Sequence, residues 1–208
     1  TVRAWGAGSD DVYQPEGIDY GQSIVPSDLT DVIAIAGGEF HSLALKSDNK
    51  VVGWGKESPY SGVESLSNVI AISAGAFHSL ALKADSTVSG QGTSSYYSGI
   101  ESLSNVISIA AGGFRSVALK SDGTVEVFGD VCSPTSNPGY CIGKPDNLSD
   151  VIAISAGYWH TLAIQSDGTV VGWGGSSQSV YPDQADVPSG LQAEIPSVLD
   201  ECGVCEGS

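Results

Sequence analysis

One phrase returns four times in this 208-residue chain, and nothing else in the sequence limits the fold so tightly. It reads VIAIAGGEFHSLALKSDNKVVGWG from Val32, VIAISAGAFHSLALKADSTVSGQG from Val69, VISIAAGGFRSVALKSDGTVEVFG from Val106 and VIAISAGYWHTLAIQSDGTVVGWG from Val151. The starts are spaced by 37, 37 and 45 residues. The third unit is longer because it carries an insert from Val131 to Pro145, which holds Cys132 and Cys141. A unit this short cannot bury its apolar surface alone, so copies must stack on one another.

Within each unit the apolar pattern has period two. In the first, Ile33 and Ile35 point one way while Val32, Ala34 and Ala36 point the other, and Leu43 and Leu45 oppose Ser42 and Ala44. These are strands. Both faces are apolar or small, so each small sheet needs cover on both sides, with Ile and Leu set against the Ala and Ser of a neighbour. Gly37-Gly38, Ala74-Gly75, Gly112-Gly113 and Ala156-Gly157 break the first strand from the second. Ser-Asp-Gly-Thr at 121–124 and 166–169 turns the second into the third, with the looser Ser47-Asp48-Asn49-Lys50 and Ala84-Asp85-Ser86-Thr87 in the other two units. The third strand closes on Trp54-Gly55 and Trp173-Gly174, with Phe128-Gly129 and Gln91-Gly92 as variants.

Composition narrows the function. Acidic residues outnumber basic ones 24 to 8, giving a formal charge of -16, a field that repels phosphate backbones and disfavours nucleic acid as a partner. No apolar run approaches the roughly 18 residues a spanning helix needs, so a soluble chain with no membrane span is expected. The absence of Met and the start inside a motif suggest a processed chain or a piece of a longer one. Cys132 with Cys141 and Cys202 with Cys205 form two local pairs, which fit disulfides in an oxidising, extracellular or cell-surface setting. A zinc site would need all four to converge, and one pair lies in a loop while the other lies in a tail, so no metal is expected.

The shared phrase V-I-x-I-x-A-G-x-x-H-S-L-A-L-K-S-D-G-T-V-x-x-W-G resembles the repeat of the RCC1 family of β-propellers. The short period is most similar to the secreted bacterial members, the β-lactamase inhibitor protein of Streptomyces among them. The resemblance covers roughly residues 1 to 192 and implies an all-β, RCC1-like β-propeller. It implies about seven blades in a closed ring, whereas this chain offers four full repeats plus partial ones at both ends. Thr1 to Gly6 reads as the last strand of a repeat, and Val187-Pro188-Ser189-Gly190-Leu191 echoes Val25-Pro26-Ser27-Asp28-Leu29. Glu194, Ile195 and Pro196 then stand where Val32, Ile33 and Ala34 would be. Three readings stay open: a fragment of a longer propeller, which is favoured, a small ring closed by the two ends, or an open arc completed by another chain through self-association. The expected organisation is a propeller over 1–198 and a Cys-Gly-Val-Cys tail or linker over 199–208.

His41, His78 and His160 recur at one position, with Arg115 in the fourth unit. Recurrence points to a blade-building role, expected as a hydrogen bond to the adjoining turn. The residues just before them differ in promise. Phe40, Phe77, Phe114 and the pair Tyr158-Trp159 fall in the turn between the first two strands, where aromatics form either an arc of partner-binding anchors along one rim or covers over their own blade edges. In the inhibitor-like relatives this loop carries partner contact, and the resemblance implies the same here. The acidic pairs Asp10-Asp11 and Asp183 with Asp186 lack the spacing of a calcium loop. No nucleophile-base spacing, phosphate loop or paired carboxylates rise above the repeat, so neither catalysis nor a cofactor is expected. The leading expectation is a non-enzymatic secreted or surface module that binds a protein or a glycan through one rim. A guanine-nucleotide exchange regulator of a small GTPase and a spacer in a large exoprotein are the alternatives.

Overall fold

The computed structural model of the chain describes residues 1–5, 20–129, 144–174 and 185–193. Four three-stranded antiparallel sheets follow one another along the sequence, one per repeat. Blade 1 is β1 (Val32–Gly37), β2 (His41–Lys46) and β3 (Val51–Gly55), and blade 2 is β4 (Val69–Ala74), β5 (His78–Lys83) and β6 (Val88–Gly92). Blade 3 is β7 (Val106–Ala111), β8 (Arg115–Lys120) and β9 (Val125–Gly129), and blade 4 is β10 (Val151–Ala156), β11 (His160–Gln165) and β12 (Val170–Gly174). In each, the middle strand pairs with both others.

The turn chemistry that varied in sequence is uniform in conformation. Gly123 and Gly168 have φ of 78° and 86°, and Asn49 and Ser86 hold the same left-handed place at 63° and 62°. What is constant is the aspartate before it. Asp48, Asp85, Asp122 and Asp167 each accept the backbone N–H two residues on, at 3.3, 3.1, 3.0 and 2.8 Å. That local bond locks the turn whichever residue takes the positive φ.

Period two fails at one place in every blade. Val32 pairs with Lys46 and Ala34 with Leu45, so Ile33 is an extra residue, and the same shift recurs at Ile70, Ile107 and Ile152. A β-bulge turns its extra side chain out of the alternation. These isoleucines are 61, 51, 54 and 46% exposed, so the expectation that each Ile packs on a neighbouring blade holds only for the next one along. Ile72, Ile109 and Ile154 do pack between blades.

Apolar layers join the blades. Leu43, Leu45 and Val51 of blade 1 meet Val69 and Ala81 of blade 2. Leu80, Leu82 and Val88 then meet Val106, Ala111 and Ala118, and Val117, Leu119 and Val125 meet Val151, Ala163 and Trp173. Each joint therefore sets Leu and Val of one blade's trailing face against Val, Ala and Ile of the next blade's leading face, with Trp173 added at the third. Burying one such side chain contributes roughly 1.5–3 kcal/mol.

A polar link crosses the same joints. His41 Nε2 lies 2.8 Å from Ser79 Oγ, and Ser79 donates its hydroxyl proton to the Pro59 carbonyl at 2.8 Å. His78 Nε2 lies 3.0 Å from Ser116 Oγ, which donates to the Tyr96 carbonyl at 2.8 Å. Because the serine proton is committed, the histidine supplies the other, so both rings are neutral Nε2–H tautomers. Their Nδ1 atoms are buried without a hydrogen-bond partner. The histidines thus build blades as expected, but they reach the next blade's serine rather than the adjoining turn. Burial, with His78 a lesser influence on His41, pushes both histidines down to about 4. At the third joint Arg115 stands in the histidine position and Thr161 in that of serine.

The end segments match their sequence echoes unevenly. Leu29 and Leu191 donate to the carbonyls of Pro26 and Pro188 at 3.2 and 3.1 Å, so the two lead-ins make the same turn. Val69, Val106 and Val151 each donate to the αL residue of the preceding blade's turn, and Ala193, rather than the expected Glu194, makes that bond to Gly168 at 2.8 Å. Residues 1–5 form no strand, contrary to the expected last strand of a repeat, and Trp5 is 88% exposed.

Two outcomes test these joints. A Cβ on Gly75 would collide with the Gly112 carbonyl and the His78 ring, whereas one on Gly37 meets nothing within 4 Å. Gly75→Ala should cost about 3 kcal/mol or more while Gly37→Ala stays within about 0.5 kcal/mol, read by urea unfolding. The second concerns pH. Histidines that titrate near 6.5 unfolded and about 4 folded let the unfolded state bind more protons between those values. Stability should fall as pH drops through that window, by about 1.4 kcal/mol per pH unit for each ring, giving a lower melting temperature at pH 4.5 than at pH 7.5.

Candidate functional site

The turn between the first two strands of each blade holds a glycine, a variable residue and an aromatic in front of the histidine, or of Arg115 in blade 3. The histidine ring fills the space beside that glycine at Gly38, Gly75 and Gly157, which pins the turn and projects the aromatic toward one rim. The blades then set these aromatics side by side. Ring centroids are 5.5 Å apart for Phe40 and Phe77, 5.5 Å for Phe77 and Phe114, and 4.9 Å for Phe114 and Trp159. Tyr158 meets Phe114 edge-on at 5.3 Å and Trp159 at 4.8 Å. The five aromatics predicted from the sequence are therefore one continuous ladder across four blades. They run along the rim and do not cover only their own blade edges.

Two further rings and a cation join it. Tyr20 packs edge-on against Phe40 at 5.7 Å, and Tyr96 lies 6.1 Å from Phe77 and 5.4 Å from Phe114. The Lys56 ammonium sits 5.0 Å from the Tyr20 ring and 5.1 Å from Phe40, within cation–π reach. Sequence reasoning missed all three because Tyr20 and Tyr96 do not recur from repeat to repeat. A signal was present: Gln22, Pro59 and Tyr96 each lie 20 residues before the serine whose hydroxyl their carbonyl accepts. That constant offset fixes the connecting loop beside the next blade's turn.

The ladder is graded. Phe40, Phe77 and Phe114 are half-buried, whereas Tyr158 and Trp159 are 38 and 40% exposed. Inside the rim, a cavity of about 340 Å³ is lined by the Gly and Ala of all four turns together with Glu39 and Tyr158. Burial and then the Glu39 carboxylate beside it raise the Tyr158 hydroxyl above its ordinary value, so it stays a neutral donor at physiological pH. The side chains that meet here are aromatic, small or single charges. Among the described residues no three His, Cys, Asp or Glu side chains converge as a metal set, and no helix is long and apolar enough to cross a membrane. Cys132, Cys141, Cys202 and Cys205, the 199–208 tail, Asp10, Asp11 and Asp183 lie outside the described residues.

The regulator of chromosome condensation (RCC1) repeat matches residues 32–59 and 151–179, which take in the strands of blade 1 and those of blade 4. The chain carries RCC1 repeats. Solved structures agree on the architecture of this RCC1-repeat chain. The yeast RCC1 (Prp20) structure with bound Kap60 matches with a TM-score of 0.55 at 21% identity, over 72% of this chain and 45% of that one. Prp20p from Saccharomyces cerevisiae matches at 0.53 and 21%, over 69% and 45%. The CRINKLY ectodomain of the Arabidopsis thaliana receptor kinase ACR4 matches at 0.52 and 21%, over 69% and 50%. At such identities the likeness shows the fold, an RCC1-like β-propeller arrangement. The RCC1-repeat chain spans about half the length of these structures or less. No curated protein sequence matches it.

The gradient of exposure along the ladder separates its roles. Phe77 touches Phe40, Tyr96 and Phe114, so Phe77→Ala should cost about 2–3 kcal/mol of stability. Trp159→Ala should cost less than about 1 kcal/mol, with both values read from the same denaturant titration.

Proposed function

We propose that this chain is a non-enzymatic, protein-binding propeller whose contact surface is the aromatic rim. The observation that carries the reading is the exposed pair Tyr158 and Trp159 at the end of a ladder that holds both rings in place. Rigid aromatics present large contact area at little entropic cost on binding, and such side chains dominate the energetics of protein interfaces. The neighbouring chains are described in terms of protein partners: Kap60 bound to yeast RCC1, and the binding properties of Prp20p to Gsp1p and histones. Those partners belong to those proteins, and for this chain they support only the class. The formal charge of -16 steers toward a partner with a basic contact patch.

The test works with an unidentified partner. Peptides selected for binding from an unbiased library, then measured against the Tyr158→Ala/Trp159→Ala double variant, should lose at least about tenfold in affinity. They should also compete with one another. Selected peptides that bind the double variant as tightly as the parent would overturn the reading, and so would binders restricted to oligosaccharides when a glycan panel is screened alongside.

A further inference from the structure

Blade 1 and blade 4 present the two halves of a His–Ser joint that the chain builds twice inside itself, between blades 1 and 2 and between blades 2 and 3. On the leading face of blade 1, Ser42 already donates its hydroxyl to the Gln22 carbonyl at 2.8 Å, as Ser79 and Ser116 donate to Pro59 and Tyr96. Its oxygen is thereby aimed to accept from a histidine, and among the described residues no side chain donates to it. Ile35 on the same face is 63% exposed, whereas its equivalents Ile72, Ile109 and Ile154 pack between blades. Residues 1–3 stand over part of this face, where Ala44 and Trp54 are already buried, and leave a gap of about 280 Å³ against Val32 to Ile35, so a docking copy must displace them.

The trailing face of blade 4 is the complement. His160 occupies the position from which His41 and His78 reach the next serine. Leu162, Ile164 and Val170 are only half-buried, where their equivalents in blades 1 to 3 are at most 3% exposed. Ser155 is exposed at the position where Ser73 of blade 2 accepts the Ala111 N–H of blade 3 at 2.9 Å. Gly37 of blade 1 holds the place of Ala111 and is likewise exposed. Setting His160 against Ser42 and Ser155 against Gly37 thus repeats the blade 2 to blade 3 joint, with its 3.0 Å and 2.9 Å bonds.

We propose that the trailing face of blade 4 docks on the leading face of blade 1 in a second copy of this chain, and that two such joints close a dimeric ring. The match to structures about twice as long supports two copies rather than more. Two sets of four blades also fall within the roughly four to eight with which propellers close. The lead-in of blade 1 must take the place that residues 185–193 hold against blade 4. That exchange is conservative, because Pro26 to Leu29 and Pro188 to Leu191 make the same turn. The joint uses unlike faces, a head-to-tail contact that closes only where the rotation between copies brings the second free face back to the first, which two copies meet when each spans half the ring.

Light scattering after size exclusion tests this on the full chain. The parent should have about twice the 21.2 kDa chain mass. Ile35→Lys and Ser155→Lys alter exposed positions on opposite faces, so each should stay folded by circular dichroism and run as a monomer. Mixing the two variants leaves one intact joint and should restore the dimer, whereas neither variant dimerises alone. A monomeric parent, a dimer that survives either substitution, or a mixture that stays monomeric would each overturn the proposal. Failure of Ile35→Lys to fold is answered by Ile35→Glu and failure of Ser155→Lys by Ser155→Glu, each expected to run as a monomer, while the conservative Ile35→Val should dimerise like the parent.

Discussion

At the first two joints, the bond from a histidine ring to the serine of the next blade holds neighbouring blades in register. It is short and buried, and it is relayed: the serine in turn fixes the connecting loop by its carbonyl. Apolar burial between blades supplies most of the attraction, but Leu, Val and Ala layers tolerate sliding. A neutral imidazole that must find one hydroxyl does not, because a buried donor left without an acceptor costs roughly 1–3 kcal/mol. At those two joints register between blades sets register along the rim, where Phe40, Phe77 and Phe114 stand 5.5 Å apart, whereas Phe114 and Trp159 meet at 4.9 Å across the third joint without that bond.

This division of labour explains why the rim can be both ordered and apolar. Each ring in the ladder leans on the next at about one ring width, and the turns of blades 1, 2 and 4 are filled by the histidine beside their glycine. The cation over Tyr20 and Phe40 closes one end, and the exposed Tyr158 and Trp159 form the other. The surface is therefore polarised along its length, with a charged, covered end and a bare aromatic one.

Much of this was legible in the sequence. Fourfold recurrence with period two set the strands, their order and the blades, and the residue before each histidine located the ladder. The bulge at Ile33 and its equivalents was not legible, because an extra residue in one strand leaves the apolar alternation of the letters unchanged while altering which face each occupies. The partner of the histidine was misassigned for a related reason. A contact 38 residues away between identical repeats looks, in a single repeat, like a local one. Tyr20, Tyr96 and Lys56 lie in connecting loops that vary between repeats, so only three-dimensional proximity reveals that they belong to the rim.

The glycines beneath the histidines carry a consequence for how such an array can diverge. Gly38 and Gly75 are each closed off from two sides, by the ring of their own blade and by a carbonyl of the following one. Losing the ring would not release them. At Gly157 the three atoms nearest to an added Cβ all belong to the His160 ring. Sequence drift in the motif thus meets a double lock at Gly38 and Gly75, where a new side chain needs both the ring and the next blade's carbonyl to give way.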